Sequence, residues 1–319
     1  MSEQTNAHDR VYPFKGKHLG NKIAVTLVSV IPLALTVFAI IRLWGLHVTW
    51  LDMALLFGFH ILGGIGITLG YHRMTTHGAF KARRPIQALF VWMGVNAVQG
   101  GPASWAATHR RHHSLSDQPG DPHSPLEGLW HAHWGWMVKG NLVHSGPGYD
   151  RLMRDPVIRF FEKTQLFWYV MTFVMPGIVA GFVAPAVGLG AGVFAWGAFW
   201  QGVLWGGAVR VFLMHHITWS INSICHAWGT RPYTSPDVAR NNAIFGVLGY
   251  GEGWHNNHHA FPDSAHIGMR WYQIDLGRYV LAVLRPFKLV YDLKLPSKAE
   301  RQARSAKQAK QAKAQRIAT

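Results

Sequence analysis

The sequence predicts an all-α integral membrane protein, with four transmembrane helices in two hairpins and a cytoplasmic helical cap. Three observations lead there. Charged residues make up 14% of the chain and hydrophobic ones 49%, against roughly 25% charged in soluble domains. Four apolar runs approach the roughly 20 residues that cross a bilayer. All but Arg42 and Arg210 of the 31 Lys and Arg lie outside those runs and outside the two short turns that join them.

Residues 1–22 are polar and lack an apolar core, so no secretory signal is expected and the segment is assigned to the cytoplasm. The first span is placed at 23–44, where Ile23–Ile41 carries no charge, and the second at 53–71, interrupted only by His60. The third is placed at 165–185 and the fourth at 190–213, with Arg210 near its end. Tight turns are expected near Gly45–Asp52 and Pro185–Gly190, neither with a basic residue. Lys and Arg collect on the cytoplasmic side of spans. Both termini and the long loop between the second and third spans are therefore cytoplasmic, and residues 72–164 and 214–275 form the cap. Ile86–Ala107 is moderately apolar but holds Gln87, Asn96, Gln99 and Pro102. It is expected to be one buried or interfacial helix, because a fifth span would split the histidines described next across the membrane. Residues 276–319 form a C-terminal region ending in a low-complexity tail. Its basic residues recur every third position from Lys298 to Arg316 with no apolar face, so a solvated tail is expected.

The chain has a net charge of +16, 20 His and a single Cys, Cys225. One cysteine excludes an internal disulfide and a cysteine-built zinc or iron–sulfur site within the chain. The histidines cluster in three boxes: "HRMTTH" (His72, His77), "HRRHH" (His109, His112, His113) and "HNNHH" (His255, His258, His259). Residues at i, i+3 and i+4 share one helical face, so each H-x-x-H-H box is expected to aim its three rings into one cavity. The i, i+5 pair of the first box diverges by about 140° on an α-helix and is expected to serve two neighbouring metals. All three boxes fall on the side that Lys and Arg, counted without histidine, assign to the cytoplasm. A transporter would place such ligands within the spans, so a metal-dependent enzyme is the stronger expectation.

Together with "GEGWHNNHHAFP" (Gly251–Pro262), "DPHSP" (Asp121–Pro125) and "TWSINSICH" (Thr218–His226), these boxes resemble the membrane-bound fatty acid desaturases of the stearoyl-CoA delta-9 type. The resemblance covers residues 20–275. The first box alone also resembles membrane hydroxylases and sterol oxidases, whereas "GEGxHNxHH" and "NSxxH" are narrower signatures. The resemblance implies a diiron site in the cap, with two Fe ions per chain held by His72, His77, His109, His112, His113, His226, His255, His258 and His259. It implies that Asn222 reaches one metal through water. Trp105, Thr218 and Trp219 would line a kinked acyl tunnel whose closed end lies near His60, Gly63 and Gly64. No catalytic side chain beyond the metal centre is expected.

The implied activity is O2-dependent insertion of a cis double bond, at delta-9, into a long-chain fatty acyl thioester. The alternative is a diiron hydroxylase or oxygenase acting on a fatty acyl group or lipid. No side-chain acid or base breaks an unactivated C–H bond, and zinc is redox-inert, whereas iron with imidazole ligands and open positions suits O2 chemistry. Glu252 is expected to orient an imidazole rather than bind metal. His123, His133, His215 and His216 are expected to be structural, and His8, His18, His47, His131, His144 and His266 to lie on the surface. The chain holds neither an "HPGG" haem motif nor a ferredoxin cysteine set, so a separate electron donor is implied, such as a ferredoxin or a cytochrome b5-like protein with its reductase. The other expected partners are long-chain acyl-CoA or another acyl carrier and membrane lipid, with no nucleic acid. Arg83, Arg84, Arg110, Arg111, Lys139 and Arg151 are candidates for the CoA phosphates. A bacterial inner membrane is the expected location.

Overall fold

The computed structural model describes residues 11–12, 19–42 and 48–305. His8, His18, His47 and the tail beyond residue 305 lie outside them. The chain is mostly helical and divides into two compact units. The first holds residues 1–67, 88–105 and 137–216, and the second holds 68–87, 106–136 and 217–319.

The first unit contains the long apolar helices. Helix α1 spans Leu19–Arg42, with Pro32 inside it. Helix α2 starts at Trp50, where Thr49 and Asp52 form a reciprocal capping box: Thr49 N–H donates to Asp52 Oδ2 at 2.8 Å and Asp52 N–H to Thr49 Oγ1 at 3.3 Å. It runs as an α-helix to Ile65 and as a π-helix over Gly66–Thr76. A Cβ on Gly66 would collide with the backbone of Met93 and Gly94, so this glycine permits a close crossing with helix α3, Arg84–Val95. Helix α4 spans Pro102–Leu115, and the short helices α5 and α6 span Trp136–Lys139 and Pro147–Leu152. Helix α7 spans Pro156–Ala186, nine residues earlier at its start than the 165 expected from hydropathy, because Asp155 accepts the N–H groups of Val157 and Ile158. The last helix of this unit begins at Trp196 as α8 (Trp196–Gly202), winds as a π-helix over Val203–Val209 and continues as α9 (Arg210–Ala227). Leu51 and Leu55 of α2 pack with Ala180 and Ala184 of α7, and Ala39 of α1 with Leu56, Trp205 and Val209.

Among the described residues three helices are long and apolar enough to cross a membrane: Ile23–Ile41, Trp50–Thr76 and Pro156–Ala186. The fourth expected span differs. Residues 190–195 are not helical, and the helix from Trp196 includes Gln201, Arg210 and several Gly and Trp. These hold its mean hydropathy below that of the other three.

The expected single helix over Ile86–Ala107 is two helices with a break at residues 96–101. Val98 (φ 57°) and Gly100 (φ 107°) take left-handed conformations there, and Pro102 cannot continue a helix from before it. The break frees carbonyl groups that are satisfied from α7 and α9. Arg210 donates to Asn96 O at 2.6 Å and to Thr172 O at 3.3 Å, and His215 Nε2 lies 3.1 and 2.9 Å from Ala97 O and Val98 O. This explains a fully buried arginine in an apolar helix: its donors meet the main-chain carbonyls of Asn96, Thr172 and Gly206. His215 is structural, as expected.

The second unit contains the short elements. Strands β1 (Lys81–Ala82) and β2 (Val290–Tyr291) pair antiparallel, and helices α10, α11 and α12 span Ala243–Leu248, His255–Ala260 and Leu276–Leu284. Arg73 and Asp275, both buried, form a two-pronged pair at 2.8 and 3.1 Å, and Arg73 also donates to Ala265 O. Asp275 further accepts the N–H groups of Ile267, Gly268 and Arg278. His131, expected on the surface, is instead 4% exposed, in a π turn over His131–Gly135 beside Glu127 at 3.6 Å. Glu127 comes one turn earlier and the adjoining Ala132 is fully buried, so the turn carries the ring inward.

Candidate metal centre

The second unit gathers nine histidines into two groups. His72, His77, His109, His113 and His258 form one, and His112, His226, His255 and His259 the other. Within each group the facing ring nitrogens lie within 4.8 Å of one another.

Local winding decides the sorting. In the first box the π-helix, not an α-helix, sets the phase. His77 N–H donates to His72 O at 3.2 Å, and Thr75 and Thr76 hydroxyls donate to Gly70 O and Tyr71 O five residues back, at 2.7 and 2.8 Å. A π turn brings i and i+5 to nearly the same face. His72 and His77 therefore fall in one group, against the expectation that they would serve two. In the two H-x-x-H-H boxes the i and i+4 rings stay together and the i+3 ring crosses over. His109 and His113 join the first group while His112 joins the second; His255 and His259 join the second while His258 joins the first. Each of these two boxes supplies both groups, which adjoin where the His113 and His259 rings stack 4.5 Å apart between centres.

The "GEGWHNNHH" segment is held by its smaller residues. Gly251 has φ 113°, and a Cβ on Gly253 would collide with the backbone of Phe245 and Gly246. The two asparagines between the histidines are fasteners. Asn256 accepts Tyr233 N–H at 2.9 Å and donates to Tyr233 O at 3.0 Å. Asn257 donates to Ile267 O at 2.9 Å, and its Oδ1 accepts Asn241 Nδ2 at 2.7 Å.

Carboxylates lie against Nδ1 of four imidazoles, with hydrogen bonds at His112, His226 and His259 and a distance contact alone at His72. Glu252 lies 2.6 Å from His72, Asp121 2.9 Å from His112, Asp117 3.2 Å from His226 and Asp237 2.6 Å from His259. Glu252 also accepts the Thr68 hydroxyl. Glu252, expected to orient an imidazole, lies beside His72. Asp117 and Asp237 were missed, and Asp121 was noted only as part of "DPHSP". Each lies far in sequence from one of its contacts or outside any box, so spacing carried no signal.

A proton on Nδ1, donated to a carboxylate, leaves Nε2 as a lone pair. His112 Nε2 and His259 Nε2 face each other at 3.4 Å although both rings are committed in this way, so neither has a proton to share. Close Nε2 pairs also join His72 to His258 (2.9 Å), His258 to His113 (2.8 Å), His113 to His109 (3.0 Å) and His255 to His226 (3.1 Å). Nitrogens about 2.0–2.1 Å from a common ion sit about 2.8–3.4 Å apart. Converging lone pairs at these separations fit a cation in each group.

Burial, then the charge of neighbouring imidazoles, holds His77, His109, His113, His255, His258 and His259 well below the ordinary value of 6.5, and His112 likewise. These rings are neutral near pH 7, the form that binds metal. Unfolded, they take up protons as the pH falls through about 6.5; folded, they do not. The stability present above that pH is lost progressively below it. Metal-free protein is therefore expected to melt at lower temperature as the pH is lowered from about 7.5 to about 5.5. A flat profile would show that the folded rings accept protons.

The remaining expected site residues are placed as follows. Asn222 is half-buried on α9 one turn before His226, in neither group. Thr218 and Trp219 lie one turn earlier still, and the Trp219 ring is 5.7 Å from that of His133, whose Nδ1 lies 3.1 Å from Ser223 Oγ. Trp105 is half-buried on α4, four residues before His109. His60, Gly63 and Gly64 are buried on α2. A Cβ on Gly63 would touch Met214, Ala97 and Arg210 at 3.5–3.8 Å, the distances of ordinary packing. His123 stacks on His112 at 4.2 Å between ring centres, and burial lowers its pKa to about 3. Of the arginines considered for phosphate, Arg111 is buried and donates to Gly120 O, and Arg110 donates to Thr75 O and Thr76 O. Both guanidinium groups are used within the fold.

The fatty acid desaturase family model matches residues 48–294. The chain is 37% identical over 311 residues to a hex-5-enoyl-[acyl-carrier protein] acetylenase of Moorena producens, covering 93% of this chain and 92% of that one. It is 35% identical to an acyl-CoA C20 delta5-desaturase of Anemone leveillei, covering 84% and 85%, and 35% identical to an sn-1 stearoyl-lipid 9-desaturase of Anabaena variabilis, covering 76% and 83%. With the boxes, the two histidine groups and this extent of similarity in hand, the chain belongs to the fatty acid desaturase family.

Proposed function

We propose that the protein is an O2-dependent diiron desaturase that inserts a cis double bond at delta-9 of a long-chain fatty acyl thioester. The observation that carries this reading is the pair of histidine groups with converging Nε2 lone pairs. His72, His77, His109, His113 and His258 would hold one iron, and His112, His226, His255 and His259 the other, with Asn222 contributing through water. Bound iron supplies the oxidising chemistry with O2 that removes two hydrogens from an unactivated methylene pair. The chain contributes orientation. Asp117, Asp121 and Asp237 fix three rings in one tautomer, and Trp105, Thr218 and Trp219 would hold the acyl chain in one pose. Electrons would come from a separate carrier on the cytoplasmic side.

The delta-9 position is supported by the similarity to the Anabaena variabilis 9-desaturase, and a thioester by similarity to relatives named for acyl-CoA and acyl-carrier-protein substrates. The test is expression in a desaturase-deficient host, with the double bond located in extracted fatty acids. A cis-9 monoene is expected. A hydroxy acid, or a bond elsewhere, would overturn the reading.

Two further outcomes follow from it. Reporter tags at Val48 and Leu189 are expected to read outside, and one at Gln118 inside; an outside reading at Gln118 would break the topology on which a cytoplasmic site depends. Gly64→Leu is expected to shift products toward shorter acyl chains with iron retained. Overpacking a filled space costs about 1–3 kcal/mol, more than the gain of about 0.8 kcal/mol per buried methylene. The readout is a competition among acyl substrates of graded length. An unchanged ratio at normal activity would place Gly64, like its neighbour Gly63, at a helix contact and not in the tunnel.

A further inference from the structure

Helix α12 presents two unlike faces. Gly277 and Leu281 are buried, and a Cβ on Gly277 would press on the Arg73 guanidinium. Tyr279, Ala282 and Val283 form the opposite face, and Phe287 extends it in the following turn; all four are exposed, Val283 by 64% and Phe287 by 70%. Just before the helix Trp271 is 89% exposed, with Tyr272 and Ile274 exposed beside it. Trp254, whose indole N–H donates to Ile274 O, packs on Gly246 of α10, the helix that carries the exposed Ile244, Val247 and Leu248. An apolar surface of this extent on one unit of a folded protein marks a contact.

The charges around it identify the partner. Arg278 and Arg285, seven residues apart, share one flank of the helix, and Arg270 and Lys288 stand at its two ends. The only acidic residue between 268 and 291 is Asp275, which is buried and paired with Arg73. An apolar stripe, a basic border and aromatic residues where the two meet are the composition of a helix lying in a bilayer interface over anionic headgroups. We propose that the face formed by Trp271, Tyr279, Val283 and Phe287 lies in the headgroup–acyl boundary of an anionic membrane, so that the second unit has a lipid contact of its own.

The test uses the full chain in nanodiscs, of phosphatidylcholine alone or of equal parts phosphatidylcholine and phosphatidylglycerol. A nitroxide is attached at Val283→Cys or Phe287→Cys, with exposed Asp263→Cys as the reference; native Cys225 is buried and is not expected to label. Collision rates are measured with oxygen, which partitions into lipid, and with a water-soluble nickel chelate. The expected result is an oxygen-to-nickel ratio several-fold higher at 283 and 287 than at 263, larger in the anionic discs, with that increment lost in Arg278→Gln/Arg285→Gln. A water-like ratio at both positions would overturn the proposal. Protection from oxygen and nickel together would also overturn it, by showing a protein neighbour on the face. A lipid-like ratio indifferent to headgroup charge would overturn its assignment to an anionic surface.

Discussion

His258→Ala is expected to abolish desaturation while leaving the protein inserted in the membrane. His258 is the hub of the five-histidine group, with Nε2 contacts to His72 at 2.9 Å and to His113 at 2.8 Å. Removing its ring leaves those nitrogens in place but withdraws the ligand between them. The iron content is expected to fall by one ion per chain, with the four-histidine group still loaded. His112→Ala is expected to do the reverse, emptying the group of His226, His255 and His259. The measurements are iron per chain on purified protein and product formation with a supplied electron donor. Full activity in both variants, with the iron content unchanged, would remove the two-metal reading. Zinc recovered in place of iron would not, because imidazole sites accept either ion.

Asp237→Asn is expected to lower iron affinity or turnover by about 10–100-fold without removing any ligand. Asp237 lies 2.6 Å from His259 Nδ1, and its orientation is fixed in turn by the Ser235 hydroxyl at 2.8 Å and by Ala239 N–H at 3.1 Å. An amide keeps the size but loses the charge that favours the Nδ1–H tautomer, so the fraction of His259 with its Nε2 lone pair turned inward falls. A purely structural role would lower the melting temperature of metal-free protein as well. The expected result is a rightward shift of the iron-binding curve with the metal-free melting temperature near wild type. Iron affinity equal to wild type, with only stability changed, would reject the orienting role. Asp117→Asn, at the longer 3.2 Å from His226, is expected to show a smaller effect.

The mostly helical character and the three histidine boxes were legible in the linear chain, because both are carried by local properties. Apolar runs of bilayer length announce themselves by composition, and histidines at i, i+3 and i+4 announce a shared helical face. The resemblance carried by "NSICH" added His226 to the picture. What stayed hidden depends on which distant residues meet. The sorting of nine rings into five and four turns on a π-helix at Gly66–Thr76 and on the splay of each i+3 ring. An α-helical reading of "HRMTTH" could not anticipate that. Asp117 and Asp237 sit in no box, and Asp237 acquires its role only where the fold brings it to His259. The break at residues 96–101 was read as continuous helix because hydropathy does not register a left-handed Val98, and the acceptors it frees meet Arg210 more than a hundred residues away. Periodicity reports what a residue does to its own turn of chain. Long-range hydrogen bonds that satisfy buried carbonyls and orient buried rings arise only when separate segments pack, and in this protein those to Asp117, Asp121 and Asp237 orient rings of the candidate metal centre.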